Sequence, residues 1–448
     1  MVTAVAPLLA AHLALMVTFD LTARPVITLL ILLIAFVSYW RAARRLELAV
    51  TAPVILLVAI LLRLPLLPLP PTLSDDVLRY TWDGKVVLGG FNPYLLAPEA
   101  AELAPLRDEL WERMPHKHVA TVYPPLALAL FSVASWMPYP LVGVKILLCF
   151  VELVGCALLI RLAQRLGLPP GRAVWYCWSP LACLEVAGMG HVDAMVLTGS
   201  VAAVLCLVSV PRQALTGAAA AAAGVLGKLV PLFLLPLWAR VSGRPIAFLG
   251  LATALVAAAM LPVGVSVGGV PPGLVTYGVS WEFNGPLYEP LWRLFDVLEL
   301  DDKLKMGLDA LKNRTARHDF WNQLYPYVYP QLLAKLLLLG VFGVFFLYSL
   351  RRSVETRQSA VIASGQLMGG LILCAATVYP WYLLWVLPWA ALARQPAWLL
   401  LSMLMPLAYV PQLFGIALFP WIYLALWGPF FGLLITTTWN PQWRWSID

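Results

Sequence analysis

Apolar runs of near-bilayer length recur along the whole chain, and no other feature restricts its fold so strongly. They occupy residues 3–19, 26–40, 51–69, 139–161, 172–188, 191–209, 213–239, 245–265, 328–350, 358–378, 381–393, 396–417 and 420–438. Most of them can cross the roughly 30 Å hydrocarbon core of a membrane as helices. One such run could be a buried helix of a soluble protein, but a whole series cannot be hidden from water. The composition agrees: 61% of the 448 residues are hydrophobic and 12% are charged, against about 25% charge in an ordinary soluble domain. The expected fold is therefore all-α, a polytopic transmembrane helical bundle over 1–448 with about 12–14 membrane helices. Val2–Phe19 is expected to be a first span or signal anchor, because no basic segment precedes it.

The basic residues orient the bundle. Arg41, Arg44 and Arg45 follow the second run, and Arg161, Arg165 and Arg172 the fourth. Arg240 and Arg244 follow the seventh, and Arg351, Arg352 and Arg357 the ninth. The positive-inside rule makes these ends cytoplasmic. It also accounts for the net charge of +7 without nucleic acid as a partner. The two long polar segments then face away from the cytosol, a first loop at 70–138 and a second at 266–327. A multi-pass protein of the cell membrane, with its polar chemistry extracytoplasmic, is the expected arrangement. Tyr123–Met137 is apolar but is followed by Pro138 and Pro140, and spanning would misplace the basic loop after it. It is expected to lie at the interface. The run 213–239 is too long for one crossing and is interrupted by Gly224, Gly227, Lys228 and Pro231. Two half-helices that dip in and return fit it, with Lys228 at the turn. The six cysteines lie in apolar runs without ligand spacing, which argues against disulfides and zinc.

The first loop opens with the segment 73–85, LSDDVLRYTWDGK. Ser74 can cap a helix whose first turn holds Asp75 and Asp76. Asp76, Tyr80 and Asp83 would share one face, and Asp75 and Arg79 stand four residues apart. One reading is a capped interfacial helix with an internal Asp75–Arg79 pair. The other is a carboxylate held at headgroup depth as a general base, able to deprotonate a sugar hydroxyl that attacks a membrane-anchored donor. A turn-rich stretch with Asn92 and Tyr94 follows, then Tyr123-Pro124-Pro125.

Together with Glu185, His191 and Asp193 in the segment 179–194, Lys228 in Gly227–Pro231, Asn284 in Glu282–Gly285, and Tyr379, Trp381 and Tyr382 in Tyr379–Tyr382, these pieces resemble the GT-C superfamily over most of the chain. These are polytopic glycosyltransferases that use polyprenyl-phosphate sugars. The closer resemblance is to bacterial polyprenyl-phosphate-mannose-dependent alpha-mannosyltransferases. It implies a hexose, mannose in that group, moved from a polyprenyl-phosphate sugar to an extracytoplasmic acceptor hydroxyl, of a glycolipid, glycan or other envelope acceptor; direct displacement would invert the anomeric configuration. It also implies that the first-loop acid is the catalytic base. The family pattern, in its spacing to Arg79 and Tyr80, fits Asp76 better than Asp75, the runner-up.

Other groups keep two readings. Glu185, His191 and Asp193, shaped by Gly188 and Gly190, could be a hydrogen-bonded turn, a sugar contact or a divalent-metal site. Lys228 could snorkel to a headgroup or bind a lipid phosphate. Arg79 is a second phosphate candidate. Tyr379, Trp381 and Tyr382 could form an interfacial belt or stack on sugar, and Trp281, Glu282, Phe283 and Asn284 share that ambiguity. Asp301–Arg317 is expected to be a solvated charged helix. His116 and His118 read as loop residues, with His116 near enough to reach a cleft. No cofactor is required by these motifs beyond a possible divalent metal, and no nucleotide-binding glycine loop occurs. A transporter or lipid flippase would also suit a broken helix, and a lipid-linked glycan ligase or polymerase would also use an outer loop.

Overall fold

A computed structural model describes residues 2–209, 212–314, 318–352 and 356–439. All regular secondary structure among them is helical, apart from isolated bridges of Thr377 with Phe283 and Asn284. The first helices are α1 (Val2–Thr18), α2 (Pro25–Leu46), α3 (Ala52–Arg63), α4 (Asp76–Leu88), α5 (Glu109–Arg113), α6 (Pro125–Ser135) and α7 (Pro140–Arg165). Then come α8 (Val174–Cys177), α9 (Pro180–Cys183), α10 (Ala194–Val208), α11 (Ala214–Gly227), α12 (Leu235–Val241) and α13 (Pro245–Val267). Among the described residues, five helices are long and apolar enough to cross a membrane: α2, α7, α13, Pro330–Arg351 and the stretch Pro396–Phe414. Shorter apolar helices accompany them, and the chain is a polytopic helical membrane protein.

On α2 the apolar character runs all the way round. Leu32, Ala35, Phe36 and Tyr39 are buried, while Leu30, Leu33 and Ile34 on the opposite side are more than half exposed. A water-soluble helix would be polar there, so that face is suited to lipid. Packing between α10 and α11 uses small residues instead of large ones: a Cβ at Gly199 would overlap the Gly224 backbone. Such close approach is how helices associate where lipid removes the hydrophobic drive.

The chain divides into two compact units. The first comprises Met1–Tyr277, Val354–Gly365 and Pro380–Asp448, the second Gly278–Ser353 and Gln366–Tyr379. In the second unit, Tyr288, Ala334 and Leu338 form a small core. There Lys335 pairs with Glu282 at 2.8 Å. The charged stretch is helical over Leu300–Arg314, with Lys305 bonded to Asp301 at 2.9 Å. Arg317, expected to close it, lies outside the described residues.

Two expected continuous helices are broken. The run 172–188 is a 3-10 turn at Pro170–Ala173, then α8 and α9, then a π-helical turn at Leu184–Gly188. Pro180 cannot continue α8, and a proline restarts a helix best at its first position. The run 381–393 is a 3-10 stretch Pro380–Trp385 followed by a short helix Leu387–Leu392, with Pro388 at its start. The break expected near Lys228 is present: α11 ends at Gly227, Lys228 is extended, and Val230–Leu234 is 3-10.

A charged network hidden in the apolar sequence ties the first unit together. Arg63, at the end of α3, donates from Nε and a terminal nitrogen to Glu152 of α7 at 2.7 and 2.8 Å. Its other terminal nitrogen donates to the carbonyls of Ala59 and Cys177, and the Tyr176 hydroxyl also donates to Glu152, at 3.1 Å. Both charged side chains are essentially inaccessible. Elsewhere Glu47 forms ion pairs with Arg172 at 2.6 Å and Arg394 at 2.8 Å and accepts from Trp175 at 3.0 Å. Arg172 is thus a buried tie and not a loose loop cation. Breaking a buried pair from one side strands a charge and costs about 3–5 kcal/mol, whereas replacing both partners by apolar groups costs much less. Glu152→Leu is therefore expected to lower the unfolding temperature of the detergent-solubilised protein sharply, and Arg63→Met with Glu152→Leu to recover most of the loss. A single variant as stable as the parent contradicts this role.

Candidate active site

The candidate site is built on α4. Helix formation begins at Asp76, not after Ser74: Asp75 is the N-cap residue, without a side-chain capping bond, and the Asp76 amide reaches the Ser74 hydroxyl at 3.4 Å. Asp76 still occupies the first turn, where the helix dipole favours an anion, and Lys85 the last. The expected Asp75–Arg79 pair is replaced. Arg79 Nε donates to Asp83 at 2.8 Å, one turn toward the C-terminus. The physical reason is burial: Asp83 is buried while Asp75 is exposed, so Asp83 gains more from a cation. Asp83 also accepts from the Thr121 hydroxyl at 2.5 Å.

The rest of the first loop holds α4 in place. Leu78, Trp82 and Val86 pack with Leu103 and Met114 in a separate core. Tyr80 stacks on Phe131 of α6 at 4.5 Å and meets Tyr123 edge-on at 4.9 Å. Its hydroxyl approaches Asp76 at 3.3 Å, the shared face expected from the spacing. Asn92 accepts from the Tyr94 amide at 2.9 Å and donates to Ser266 at 3.0 Å, and Tyr94 donates to the Tyr123 carbonyl at 2.7 Å. Asn92, Tyr94 and Tyr123 are thus brought to the same end of the unit as Asp76.

The Asp76 side chain is 32% exposed, whereas the groups behind it are closed off. His191 Nδ1 lies 3.5 Å from Asp76 Oδ2 and His191 Nε2 lies 3.3 Å from Glu185 Oε2. These are ion-pair contacts, longer and less aligned than hydrogen bonds, and both imidazole nitrogens otherwise lack a hydrogen-bond partner. Trp381 covers the imidazole in a stack of 3.6 Å. Glu185 sits in the π-helical turn, and the Tyr409 hydroxyl donates to it at 2.8 Å. π-helical turns recur where a side chain must be aimed. Asp193 accepts from Lys228 at 2.8 Å and Trp385 Nε1 at 2.5 Å through one oxygen. Lys228 also lies over the rings of Tyr382 and Trp385, at 4.7 and 5.1 Å, and it remains partly exposed. Tyr382 stacks on Trp385 at 4.2 Å and its hydroxyl contacts that of Tyr277.

The two adjacent acids differ electrically. Desolvation by the surrounding protein raises the pKa of Asp75 above the ordinary carboxylate value although its side chain reaches solvent, and the charge of Asp76 raises it further. Burial also pushes Asp76 upward, but its contact with His191 and the charges of His191 and Lys228 outweigh this, and the net shift is downward. Asp76 is the acid that stays ionised. His116, at φ +52°, adds an electrostatic influence on Asp75. Asp83 is shifted upward by burial against the pull of Arg79 and Thr121.

Asn284 and Tyr379 belong to the second unit. Asn284, at φ +54°, donates to the Val378 carbonyl at 3.3 Å, and Phe283 stacks on Tyr379 at 4.7 Å. A metal site does not emerge: among the described residues no group of three or more His, Cys, Asp and Glu side chains could hold an ion, and both nitrogens of His191 already face carboxylates. Sequence reading missed Tyr409 and Lys145. Lys145 of α7 is buried and donates to the carbonyls of Leu66 and Leu69, at the start of the segment that leads to Asp76. The available signal was an ionisable or phenolic group inside an apolar run.

The turn carrying His191 depends on Gly190, at φ +83° with Lys145 and Val77 against it. A side chain there incurs roughly 1–2 kcal/mol of backbone strain besides the contact. Gly190→Ala is expected to lower thermal stability by at least that much, and an unchanged unfolding curve contradicts it.

A family model described as alpha-(1->6)-mannopyranosyltransferase, N-terminal domain, matches residues 2–244, more than half of the chain. The same residues contain α4, the π-helical turn, His191, Asp193 and Lys228. No curated protein and no solved structure matches the chain.

Proposed function

The chain belongs to the alpha-(1->6)-mannopyranosyltransferase family and is a membrane mannosyltransferase, and from that premise we propose that Asp76 is its general base, acting extracytoplasmically on a polyprenyl-phosphate-mannose donor. The observation that carries this reading is the placement of Asp76. It is the open member of a polar group whose other members are buried, and its neighbours keep it ionised. A base must be unprotonated and within reach of the hydroxyl it activates. Asp75, next in sequence, is more exposed but is shifted toward the protonated form.

In the reaction the acceptor hydroxyl attacks the anomeric carbon of mannose while an Asp76 oxygen takes its proton. The bond from that carbon to the phosphate oxygen breaks, and polyprenyl phosphate leaves with the electron pair. One displacement inverts the anomeric configuration. A phosphate leaving group needs little protonation, so positive charge suffices on its side. Lys228 is suited to supply it. Its bond to Asp193 uses one of three N–H groups, and an ammonium binds phosphate as a point charge. Arg79 commits Nε to Asp83 and is the second basic group on this side.

The test supplies purified, reconstituted protein with radiolabelled polyprenyl-phosphate mannose or with a nucleotide-linked mannose, and determines the product linkage. Transfer from the lipid-linked donor alone, with inverted configuration, is expected. Transfer from the nucleotide sugar, or retention of configuration, overturns the donor and mechanism proposed.

A further inference from the structure

Behind Asp76 runs a line of four groups from four different parts of the first unit. Asp76 at the start of α4 meets His191 in the turn before α10, His191 meets Glu185 in the π-helical turn, and Glu185 accepts from Tyr409 in the 3-10 turn Met405–Tyr409. Glu185 and His191 are wholly buried and Tyr409 nearly so. Only the Asp76 end is open.

The imidazole in this line has one arrangement that fits both neighbours. Neutral histidine carries a proton on one nitrogen and a lone pair on the other. Either tautomer would set that lone pair against a carboxylate oxygen, at Asp76 or at Glu185. Imidazolium presents N–H to both sides. The Tyr409 hydroxyl lies 2.8 and 2.9 Å from the two Glu185 oxygens, and a donor shared in this way favours Glu185 as the acceptor-only, ionised form. The Trp381 face, stacked at 3.6 Å, also suits a cation. Other charged groups near His191 are Lys228, Lys145 and Asp75, of which Asp75 interacts with it at long range. Lys228 is paired with Asp193, Lys145 donates to the backbone carbonyls of Leu66 and Leu69, and Asp75 is exposed.

We propose that Glu185 and Tyr409 are positioning residues of the transferase, which hold a proton on His191 so that a cationic imidazole orients Asp76 and keeps it ionised. This rests on the assignment of Asp76 as the base. Without Glu185, the imidazole has one anionic partner and releases its proton more readily. Asp76 would then face a neutral ring while still desolvated, and would protonate at higher pH. Removing the Tyr409 hydroxyl destabilises the ion-paired form of Glu185 and His191 relative to the neutral one, with a smaller effect in the same direction.

The test measures the pH dependence of kcat/KM in reconstituted protein for the parent, Glu185→Gln, Tyr409→Phe, His191→Gln and the Glu185→Gln/His191→Gln double variant. The acid limb is expected to rise by about one pH unit in Glu185→Gln and in His191→Gln, and by less in Tyr409→Phe. In the double variant it should rise no further than in His191→Gln alone, because the effect of Glu185 passes through His191. A second readout needs no activity: nitrogen NMR of the 15N-histidine-labelled protein, with His191 assigned by its absence in His191→Gln. Both ring nitrogens are expected to be protonated at neutral pH in the parent, and one in Glu185→Gln. An unmoved acid limb in both Glu185→Gln and Tyr409→Phe, additive shifts in the double variant, or a neutral His191 in the parent overturns the proposal. Should Glu185→Gln fail to fold, Tyr409→Phe removes a single oxygen and its limb decides. Full activity in Asp76→Asn would instead refute the base assignment, a result distinct from unmoved limbs in an enzyme that needs Asp76.

Discussion

An imidazole clamped between two carboxylates and stacked on Trp381 is the contact on which the site depends. His191 brings together a helix that starts at Asp76 and a π-helical turn that carries Glu185. A charge in such surroundings is expensive unless it is paired. Pairing here does two things with the same atoms. It offsets the cost of burial for Glu185 and His191, and it favours the anionic form of Asp76, the open end of the line. Gly190, free to adopt its positive φ, and the broken run before it serve that geometry, because a continuous helix through 172–191 would not turn His191 back toward α4.

The same rule governs the charges away from the site. Arg63 and Glu152 satisfy each other together with two carbonyls and a tyrosine hydroxyl. Glu47 gathers Arg172, Arg394 and Trp175. Lys145 donates to two backbone carbonyls just beyond α3. Each of these charges lies in or beside an apolar run, and each ties together segments distant in sequence. Apolar packing between lipid-like helices is weakly directional, so these polar ties do much to fix which helices meet.

The class of fold was legible in the sequence because periodicity and run length are local properties. α2, α7, α13 and Pro330–Arg351 fall where the runs 26–40, 139–161, 245–265 and 328–350 predict helices, and the break at Lys228 followed from its glycines and Pro231. Partnerships were less legible. Arg79 has Asp75 four residues before it and Asp83 four residues after it, and spacing alone does not choose. Burial chooses Asp83. Glu185 and His191 could be placed at one junction from their short separation, but Tyr409 lies 224 residues from Glu185, and nothing local in the run 396–417 points there. Resemblance supplied the transferase reading, and the family match over 2–244 establishes the mannosyltransferase class. The proposed base rests on the geometry around Asp76, and the proposed donor on the resemblance.

Neighbouring carboxylates with opposite electrical surroundings give this site its sharpest test. Asp76→Asn and Asp75→Asn remove one charge each from positions one residue apart, in side chains of equal size. With both proteins reconstituted and shown to bind the lipid-linked donor, transfer to acceptor is the deciding measurement. Loss of transfer in Asp76→Asn with substantial transfer left in Asp75→Asn is the predicted result. Transfer that survives in Asp76→Asn and vanishes in Asp75→Asn would contradict the assignment of the base and the role given to His191.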